Sequence, residues 1–256
     1  MGRTDLPELS DRERDRYARH LALPQLGEER QRRLKAARVL IVGVGGLGSA
    51  IALYLAGAGV GHVGIVDDDS VSFSDLQRQI LHGEAMLNRS KVESAAARLA
   101  DLNADICVET FAERFEGATG RRIAAEFDLI VDGTDNFETR YTINDVCLDL
   151  RIPYVYGAIF RLEGQLSLLC TDEGPCYRCL FPEPPAPETI LTSAQAGILG
   201  AVPGTIGALQ ATEAIKWIAG IGTPLVGRLL VYDAAGMRFE EVAVAADPGC
   251  PACGAS

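Results

Sequence analysis

Lysine is scarce in this chain of 256 residues, where it occurs only as Lys35, Lys91 and Lys216. Acidic residues outnumber basic ones, and the formal net charge is −11 at pH 7. A nucleic-acid-binding protein needs a basic face that neutralises phosphates, so we predict no nucleic-acid partner. Any phosphate site must be local, which makes a lysine inside a polar motif, Lys91 above all, a candidate phosphate ligand.

The N-terminus lacks the apolar core of a signal peptide, because residues 1–38 are highly charged. Residues 39–66 contain no Asp, Glu, Lys or Arg and are long enough to cross a bilayer. Eight glycines argue against a membrane span, since they divide this run into a strand, a turn, a short helix and a second strand. We predict no membrane association and a cytoplasmic location.

Internal repeats and low-complexity tracts are also missing, so we expect one domain over residues 1–256. Ser10 and Glu13 have the spacing of a capping box, which predicts one or two helices within residues 10–37. Apolar strands then alternate with helical stretches, a pattern that builds a parallel sheet with helices on both faces. The elements predicted in this half, residues 38–150, are strands at 38–42, 62–66, 106–110 and 127–131 and a helix at 91–102.

After Pro153 strands follow one another with little helix between them. The elements predicted in this second half, residues 151–256, are strands at 154–158, 164–170, 228–233 and 237–244 and a helix at 204–219. The predicted fold is α/β, with a Rossmann-like doubly wound, mainly parallel sheet. N-terminal helices precede this sheet, and antiparallel C-terminal strands extend it.

A glycine-rich turn follows the first predicted strand, where Gly43, Gly45 and Gly48 form the pattern G-x-G-x-x-G at the mouth of a helix. Backbone N–H groups and the helix dipole favour an anion there. Asp67 ends the next strand, 24 residues after Gly43, where a carboxylate can hold ribose hydroxyls. This arrangement makes residues 38–150 a nucleotide-binding half. The alternatives are a glycine turn without a ligand and an NAD-binding oxidoreductase.

Two cations follow Asp67 in polar segments, Arg78 and Lys91. A dinucleotide enzyme needs one pyrophosphate contact from the glycine turn, whereas a triphosphate needs several further cations. Arg78 and Lys91 therefore favour a triphosphate over NAD. The alternative for both is that they are solvated surface charges.

Asp132, Asp135 and Asn136 stand at the end of another predicted strand. Carboxylates at the carboxyl end of a parallel strand lie over the crevice in which α/β sheets bind ligands. Oxygen ligands suit Mg²⁺, so Asp135 is predicted to hold a magnesium ion that bridges phosphates. Capping of the following helix by Asp135 is the alternative, and both roles are compatible.

The seven cysteines are an odd number, and four of them form two Cys-x-x-Cys pairs, which favours metal binding in a reducing cytosol over a disulfide framework. Four thiolates make a closed tetrahedral zinc site of the structural kind, with ligands Cys176, Cys179, Cys250 and Cys253. A thioredoxin-like redox role is the alternative, but neither pair is predicted to open a helix after a strand. The remaining three, Cys107, Cys147 and Cys170, are predicted to be buried packing residues.

Several segments stand in the order seen in the MoeB/ThiF/HesA family: GVGGLG, VSFSDLQRQILH, TDN, CYRC, LTSAQAG, LQATEAIK and PGCPAC. The chain resembles this family of ubiquitin-activating-like adenylyltransferases nearly end to end, and within it the molybdopterin-synthase adenylyltransferases. The resemblance implies ATP-dependent adenylation of the C-terminal glycine carboxylate of a small ubiquitin-like sulfur-carrier protein with a Gly-Gly tail. Pyrophosphate would be released, and the sulfur transfer would serve molybdopterin, thiamine or related biosynthesis. An inactive family member that serves as a docking module is the alternative.

The resemblance also assigns residues to ATP and magnesium. The matching positions, which join Gly43, Gly45 and Gly48 of the glycine-rich turn, are Gly46, Asp67, Ser74, Asp75, Leu76, Gln77, Arg78, Lys91, Asp135 and Asn136. It implies that Asp67 holds the ribose, that Arg78 and Lys91 hold the phosphates, and that Asp135 holds the magnesium. The segment RYARH resembles the family's R-Y-x-R-Q, which implies a homodimer in which Arg19 enters the neighbouring subunit's active site.

The implied reaction needs no nucleophile from the protein and no general base, because a carboxylate attacks directly. The expected catalytic residues, Arg19, Arg78, Lys91 and Asp135, would act by positioning and charge neutralisation. The resemblance further predicts that the carrier's tail passes beneath a proline-rich crossover loop that begins at residues 181–188.

Two positions depart from the family's pattern. Asp75 stands where the family commonly has Asn, and an ionised carboxylate cannot donate a hydrogen bond to a phosphate. Asp75 is therefore expected to weaken ATP binding, unless it pairs with Arg78 or joins Asp135 in holding magnesium. Ser193 stands where ThiF-like members place a sulfur-linking cysteine, which argues against a covalent intermediate at that position.

Overall fold

A computed structural model of the chain describes residues 6–186 and 193–254. The N-terminal segment forms three short helices: α1 (Asp11–Arg16), α2 (Ala18–Leu21) and α3 (Gly27–Ala36). The predicted capping box is confirmed, since the Glu13 N–H donates to Ser10 Oγ at 3.2 Å and the Ser10 N–H donates to Glu13 Oε2 at 2.7 Å. One or two helices were expected; Pro24 and the left-handed Gly27 (φ +63°) separate α2 from α3, and a further break between α1 and α2 lies at Tyr17.

All eight strands of the described chain join one sheet with the order β3-β2-β1-β4-β5-β6-β7-β8. The strands are β1 (Arg38–Val42), β2 (His62–Val66), β3 (Cys107–Phe111), β4 (Leu129–Asp132), β5 (Tyr154–Phe160), β6 (Glu163–Leu169), β7 (Arg228–Asp233) and β8 (Arg238–Ala243). Pairing is parallel from β3 to β5 and antiparallel from β5 to β8. The predicted Rossmann-like sheet with antiparallel C-terminal strands is confirmed.

Helices cover both faces of the sheet. After β1 they are α4 (Gly46–Ala58), α5 (Lys91–Leu102), α6 (Gly117–Ala124), α7 (Phe137–Leu150), α8 (Tyr177–Leu180), α9 (Ser193–Ala196) and α10 (Ala201–Ala219). Along β1, Val39 and Ile41 pack into one hydrophobic cluster, and Leu40 and Val42 pack into another on the opposite face. Because both faces are buried, the strand reads as an unbroken apolar run, as is usual in parallel sheets.

The chain proceeds from β1 and from β4 toward opposite edges of the sheet. From β1 the chain proceeds outward through β2 to β3, and from β4 it proceeds through β5 in the other direction. A crevice therefore opens at the carboxyl ends of β1 and β4, which is the position where doubly wound sheets bind ligands.

Some sequence-based boundaries and one burial prediction need correction. Strand β3 begins one residue later than predicted, and β4 begins at Leu129. The predicted burial of Cys107 is wrong, because this residue lies on the outermost strand and its side chain is exposed, whereas Cys147 is buried. Cys170 is half-buried. Within the described residues, every helix is too short or too polar to cross a membrane.

Candidate active site and metal centre

A cavity of about 290 Å³ lies at the carboxyl ends of β1, β2 and β4. Val42, Val66 and Gly133 form its floor where these strands end. Its charged lining includes the cations Arg78, Lys91, Arg114 and Arg140 and the anions Asp67, Asp68, Asp69, Glu113 and Asp135. Four cations thus face one cavity together with five carboxylates, in a chain that is acidic overall.

The first turns of α4, α5, α7 and α10 all border this cavity, through Gly46, Lys91, Asn136 and Pro203. In α4, α5 and α10 no side chain caps the N-terminus. The positive ends of these helix dipoles therefore converge on one space, which favours a multiply charged anion.

The glycine turn brings the backbone segments around Gly43, Gly48 and Gly133 into close contact. Gly43 adopts φ +86°, and a Cβ on it would lie 2.9 Å from the Gly133 carbonyl oxygen. A Cβ on Gly48 would lie only 2.0 Å from the Gly43 carbonyl oxygen. Only glycine fits where the turn packs between the first turn of α4 and the end of β4.

Asp67 fixes the shape of the turn. Its carboxylate accepts the Val44 N–H at 2.9 Å on one oxygen and the Asp69 N–H at 2.9 Å on the other. Burial raises the pKa of Asp67 above its ordinary value, and the nearby Lys91 and the two N–H donors oppose that shift. Asp67 faces the cavity and retains acceptor capacity for hydroxyl groups.

Lys91 is the first residue of α5, and its side chain is 8% exposed. Its ammonium donates to Asp69 Oδ2 at 2.8 Å. Burial lowers the pKa of Lys91, but the carboxylates of Asp67, Asp69 and Asp75 outweigh burial and raise it above its ordinary value. Lys91 is therefore a charged, inward-facing group, and the alternative of a solvated surface lysine is excluded.

Arg78 also lines the cavity, and its guanidinium is fixed by neighbouring residues of its own segment. Its guanidinium contacts Asp75 Oδ1 at 3.1 Å and the Ser74 carbonyl oxygen at 3.0 Å. Asp75 is buried, and it accepts the Ser72 N–H at 3.0 Å and Gln79 Nε2 at 2.8 Å. Asp75 thus pairs with Arg78 and contributes no surface to the cavity.

At the end of β4 the polar residues divide their roles. Asn136 caps α7, accepting the Thr139 N–H at 2.9 Å. Asp135 is exposed at the cavity and makes no hydrogen bond or ion pair within the described chain. Asp132 is fully buried and accepts hydrogen bonds from Thr134 and Tyr154. The cap predicted for Asp135 is therefore made by Asn136, which leaves the Asp135 carboxylate free.

Most of the residues predicted for the nucleotide meet at this cavity. Those that line it are Gly43, Gly45, Gly46, Asp67, Arg78, Lys91, Asp135 and Asn136. Those that do not line it are Gly48, Ser74, Asp75, Leu76, Gln77 and Arg19. Arg19 lies on α2 with its side chain exposed, and no described residue forms an ion pair with it.

Sequence reasoning missed several lining residues. The polar ones are Asp68, Asp69, Gln79, Glu113, Arg114, Thr134, Thr139 and Arg140. A signal for Arg140 was present, since it lies four positions after Asn136 and therefore on the same face of α7, one turn into the helix.

A second cavity of about 250 Å³ adjoins the first. The two share Asp135, Arg140, Ile159 and Ile198 in their walls. The rest of the second wall comes from the β5–β6 hairpin, from Phe137 and Phe181, and from residues 196–197. Its mixed apolar and polar lining extends from the first cavity to the surface of the hairpin.

The four cysteines of the two Cys-x-x-Cys pairs form a separate cluster. Neighbouring sulfur atoms lie 3.8 Å apart (Cys176 and Cys179), 3.6 Å apart (Cys176 and Cys250) and 3.4 Å apart (Cys179 and Cys253). A tetrahedral zinc with Zn–S bonds of about 2.3 Å requires sulfur separations of about 3.8 Å, whereas a disulfide requires about 2 Å. The donor set and its spacing fit a four-coordinate metal ion.

One expectation about these cysteines was wrong. Cys176 does cap a one-turn helix, α8, although neither pair was predicted to open a helix. The redox alternative is still disfavoured, because the second pair lies against the first and completes a set of four sulfur ligands.

Comparisons with known proteins identify relatives of this chain. A sequence profile of the ThiF family matches residues 17–252. The "SAMP-activating enzyme E1" of Haloferax volcanii is 49% identical over 240 residues, which are 94% of this chain and 88% of that protein. The "Sulfur carrier protein adenylyltransferase" of Thermus thermophilus is 44% identical over 247 residues, which are 94% of this chain and 91% of that protein.

Other curated relatives, 47% and 48% identical, are about twice as long, so that the chain spans 51% and 50% of their length. Among solved structures, E. coli MccB with MccA-N7isoASN has a TM-score of 0.84 at 24% identity. The alignment covers 96% of this chain and 76% of that one, and it bears on the fold alone.

Proposed function

Because the chain belongs to the ThiF family, we propose that it uses Mg-ATP to adenylate the C-terminal glycine carboxylate of a small ubiquitin-like sulfur-carrier protein. The observation that carries this proposal is the cavity at the ends of β1, β2 and β4, where uncapped helix N-termini, Arg78 and Lys91 offer positive charge to a triphosphate. The name of the Thermus relative describes an adenylyltransferase of a sulfur carrier protein.

The chemistry is a single displacement at phosphorus. A carboxylate oxygen of the carrier forms a bond to the α-phosphorus, and the bond from that phosphorus to the pyrophosphate oxygen breaks. Pyrophosphate leaves with the electron pair, and the carrier ends as an acyl-adenylate. No proton has to be removed from a carboxylate, so the protein contributes positioning and charge neutralisation.

The lining residues divide this work. The N–H groups at the start of α4 and the cations Arg78 and Lys91 hold the phosphates, and Asp67 accepts hydrogen bonds from the ribose. Asp135 is placed to hold magnesium, since it is exposed at the cavity without a partner among the described residues. Magnesium would supply further charge neutralisation at the phosphates.

Zinc would be held by the four clustered cysteines, outside the cavity. With four sulfur ligands it has no open position, so we assign it a structural role. Reduced thiols also fit a reducing compartment, and we place the enzyme in the cytoplasm.

We place carrier binding in residues 151–256. Met237 and Phe239 are exposed apolar side chains on or next to β8, and they offer a surface for a partner. The tail would then enter the second cavity toward the nucleotide. Much of the crossover loop predicted to cover it, including residues 187–192, lies outside the described residues, and so does the Ser193 side chain.

The direct test is ATP–pyrophosphate exchange with purified MoaD-type and ThiS-type carriers that end in Gly-Gly. We expect exchange that requires both a carrier and magnesium, and intact-mass measurement should show unmodified enzyme. ATP binding without exchange for any carrier would favour a docking module. Binding of NAD in place of ATP would favour an oxidoreductase.

An Arg19 test addresses the proposed homodimer. Arg19 lies on α2, outside its own cavity, so we expect it to act in the partner subunit's site. Arg19→Ala and Lys91→Ala chains should each be weakly active, and their mixture should recover activity through hybrid dimers with one intact site. Up to about a quarter of wild-type activity is expected after random subunit exchange. Exchanged mixtures that stay at the parents' level would place Arg19 in its own site or in no site.

An Asp75 test addresses the departure from the family pattern. Asp75→Asn removes the charge that holds Arg78 and should free the guanidinium for phosphate, lowering the KM for ATP several-fold with no change in the magnesium dependence.

Burial raises the pKa of Asp75, but hydrogen bonds from Ser72 and the nearby Lys91 and Arg78 lower it by more. Its ionisation therefore stabilises the fold above the unfolded pKa of about 3.9, and that contribution is lost as pH falls through the lower folded value.

Kinetics across ATP and magnesium concentrations check the first part, and thermal melts from pH 7 down to pH 3 check the second. A changed magnesium curve would mean that Asp75 reaches the metal. The stability gap between wild type and variant should be constant near neutral pH and shrink only in strong acid.

A further inference from the structure

Arg140 stands where the two cavities meet. It lines both of them, whereas Arg78, Lys91 and Arg114 line only the first and Arg161 only the second. Within the described chain it is thus the basic residue common to both walls. A peptide tail that entered through the second cavity would reach this guanidinium before it reached the nucleotide.

The guanidinium is held rigidly. The Nη2 group donates to the Thr134 carbonyl oxygen at 3.0 Å, and Nε lies 3.4 Å from Asp132 Oδ2. Its central carbon lies 5.6 Å from the Phe137 ring centre and 6.0 Å from the Tyr156 ring centre. Because the side chain is 7% exposed, these contacts fix its direction before any ligand arrives.

Hydrogen-bonding capacity remains on Arg140. A guanidinium has five N–H donors, and the hydrogen bond to Thr134 is the one that it makes within the described chain. The buried Nε has no hydrogen-bond acceptor there. Nη1 and Nη2 therefore keep N–H groups for a carboxylate, which a guanidinium can bind through two parallel hydrogen bonds.

Arg140 also keeps its charge. Burial lowers its pKa, but Asp132 outweighs burial and the pKa lies above its ordinary value. Asp132 is in turn held by the Thr134 N–H at 2.8 Å and by the Tyr154 hydroxyl at 2.7 Å. Asp132 therefore positions the guanidinium from the side away from the cavities.

We propose that Arg140 binds the C-terminal carboxylate of the carrier's tail and makes the site selective for a free carboxylate over a blocked or extended C-terminus. This inference rests on the proposed adenylation. The attacking carboxylate and the triphosphate are both anions, and a cation between them offsets their repulsion. A C-terminal amide has the same shape but no charge, so Arg140 gains much less from it.

The test compares two forms of one MoaD-type carrier that ends in Gly-Gly, one with a C-terminal carboxylate and one with a C-terminal amide. Binding to the full-length chain is measured by calorimetry without ATP, so that no chemistry intervenes. Wild type should bind the acid about tenfold or more tightly than the amide, the range for a hydrogen bond to a charged group. Arg140→Gln should bring this ratio close to one.

Matched variants separate this role from a structural one. Arg98→Gln removes an exposed arginine that lines neither cavity and should keep the wild-type ratio. Arg140→Lys keeps a charge beside Asp132 but not the fork, and should give an intermediate ratio. If Arg140→Gln folds poorly because Asp132 is left unpaired, Asp132→Asn combined with Arg140→Gln removes both charges and should show the same loss of preference.

The inference is overturned if wild type does not prefer the acid, or if either the single or the double variant keeps the preference. Failure of this inference can be distinguished from failure of the proposed function. Absence of ATP–pyrophosphate exchange in wild type refutes adenylation, whereas exchange together with an unaltered preference in the Arg140 variants refutes only the role of Arg140.

Discussion

Replacement of Lys91 by alanine is expected to lower carrier-dependent ATP–pyrophosphate exchange by about 10²- to 10³-fold, the usual cost of a charge-stabilising donor in a closed site. The ammonium is buried at the start of α5 and borders the cavity. Its loss removes positive charge where charge develops on the phosphates, and it leaves Asp69 without its partner. Lys91→Arg should retain more activity than Lys91→Ala.

Lys216→Ala is the matched control for this experiment. Lys216 lies in the last turn of α10 and is paired with Glu213, whereas the first turn of α10 borders the cavity. The helix separates Lys216 from Pro203 by about 20 Å, at 1.5 Å per residue. Exchange should be unchanged in Lys216→Ala. Equal losses in both variants, or a Lys91→Ala chain that is folded and fully active, would remove Lys91 from the phosphate site.

Fresh protein should contain one zinc ion per chain, and Cys253→Ser should lower the Tm by about 10 °C or more, given the large binding free energy of structural zinc. The cluster joins the segment at α8 to the C-terminal segment, so loss of one ligand loosens both. The affinity for ATP should change far less than the Tm, because none of the four cysteines lines the cavity. Metal analysis, thermal melts and nucleotide titration check these three points.

Cys107→Ser provides the control for the zinc experiment. It changes a thiol to a hydroxyl at an exposed position outside the cluster, and neither the zinc content nor the Tm should change. Less than about half an equivalent of zinc in wild type, or an unaltered Tm in Cys253→Ser, would contradict a structural zinc.

Much of the fold could be read from the sequence because local and long-range patterns agree. The bounds of β1, β2, α5 and β7 were predicted correctly, since glycine or polar residues flank each apolar or helical run. Cys107 shows where such reading fails. Its apolar neighbourhood suggested burial, but the place of a strand within the sheet depends on pairing between distant segments, and β3 became the edge.

The site could be predicted where chemistry follows from backbone geometry. Gly43 and Gly45 and the ends of β1, β2 and β4 were located by strand, turn and helix signals alone. Side-chain direction was the limit of this reasoning. Asp75 was expected near the phosphates but turns to Ser72 and Arg78, and Arg140 was overlooked although its side chain reaches the cavity. The position of a residue along a helix can be predicted from the sequence more readily than the residues that its side chain contacts.

The two cations proposed to bind the phosphates are paired with carboxylates in the free protein, Lys91 with Asp69 and Arg78 with Asp75. If these cations bind the triphosphate as proposed, phosphate oxygens must displace carboxylates that remain within reach. The same carboxylates would then compete with pyrophosphate once it has formed and would weaken its binding. Such an exchange of counter-ions would lower the affinity for the substrate and in return favour release of the product.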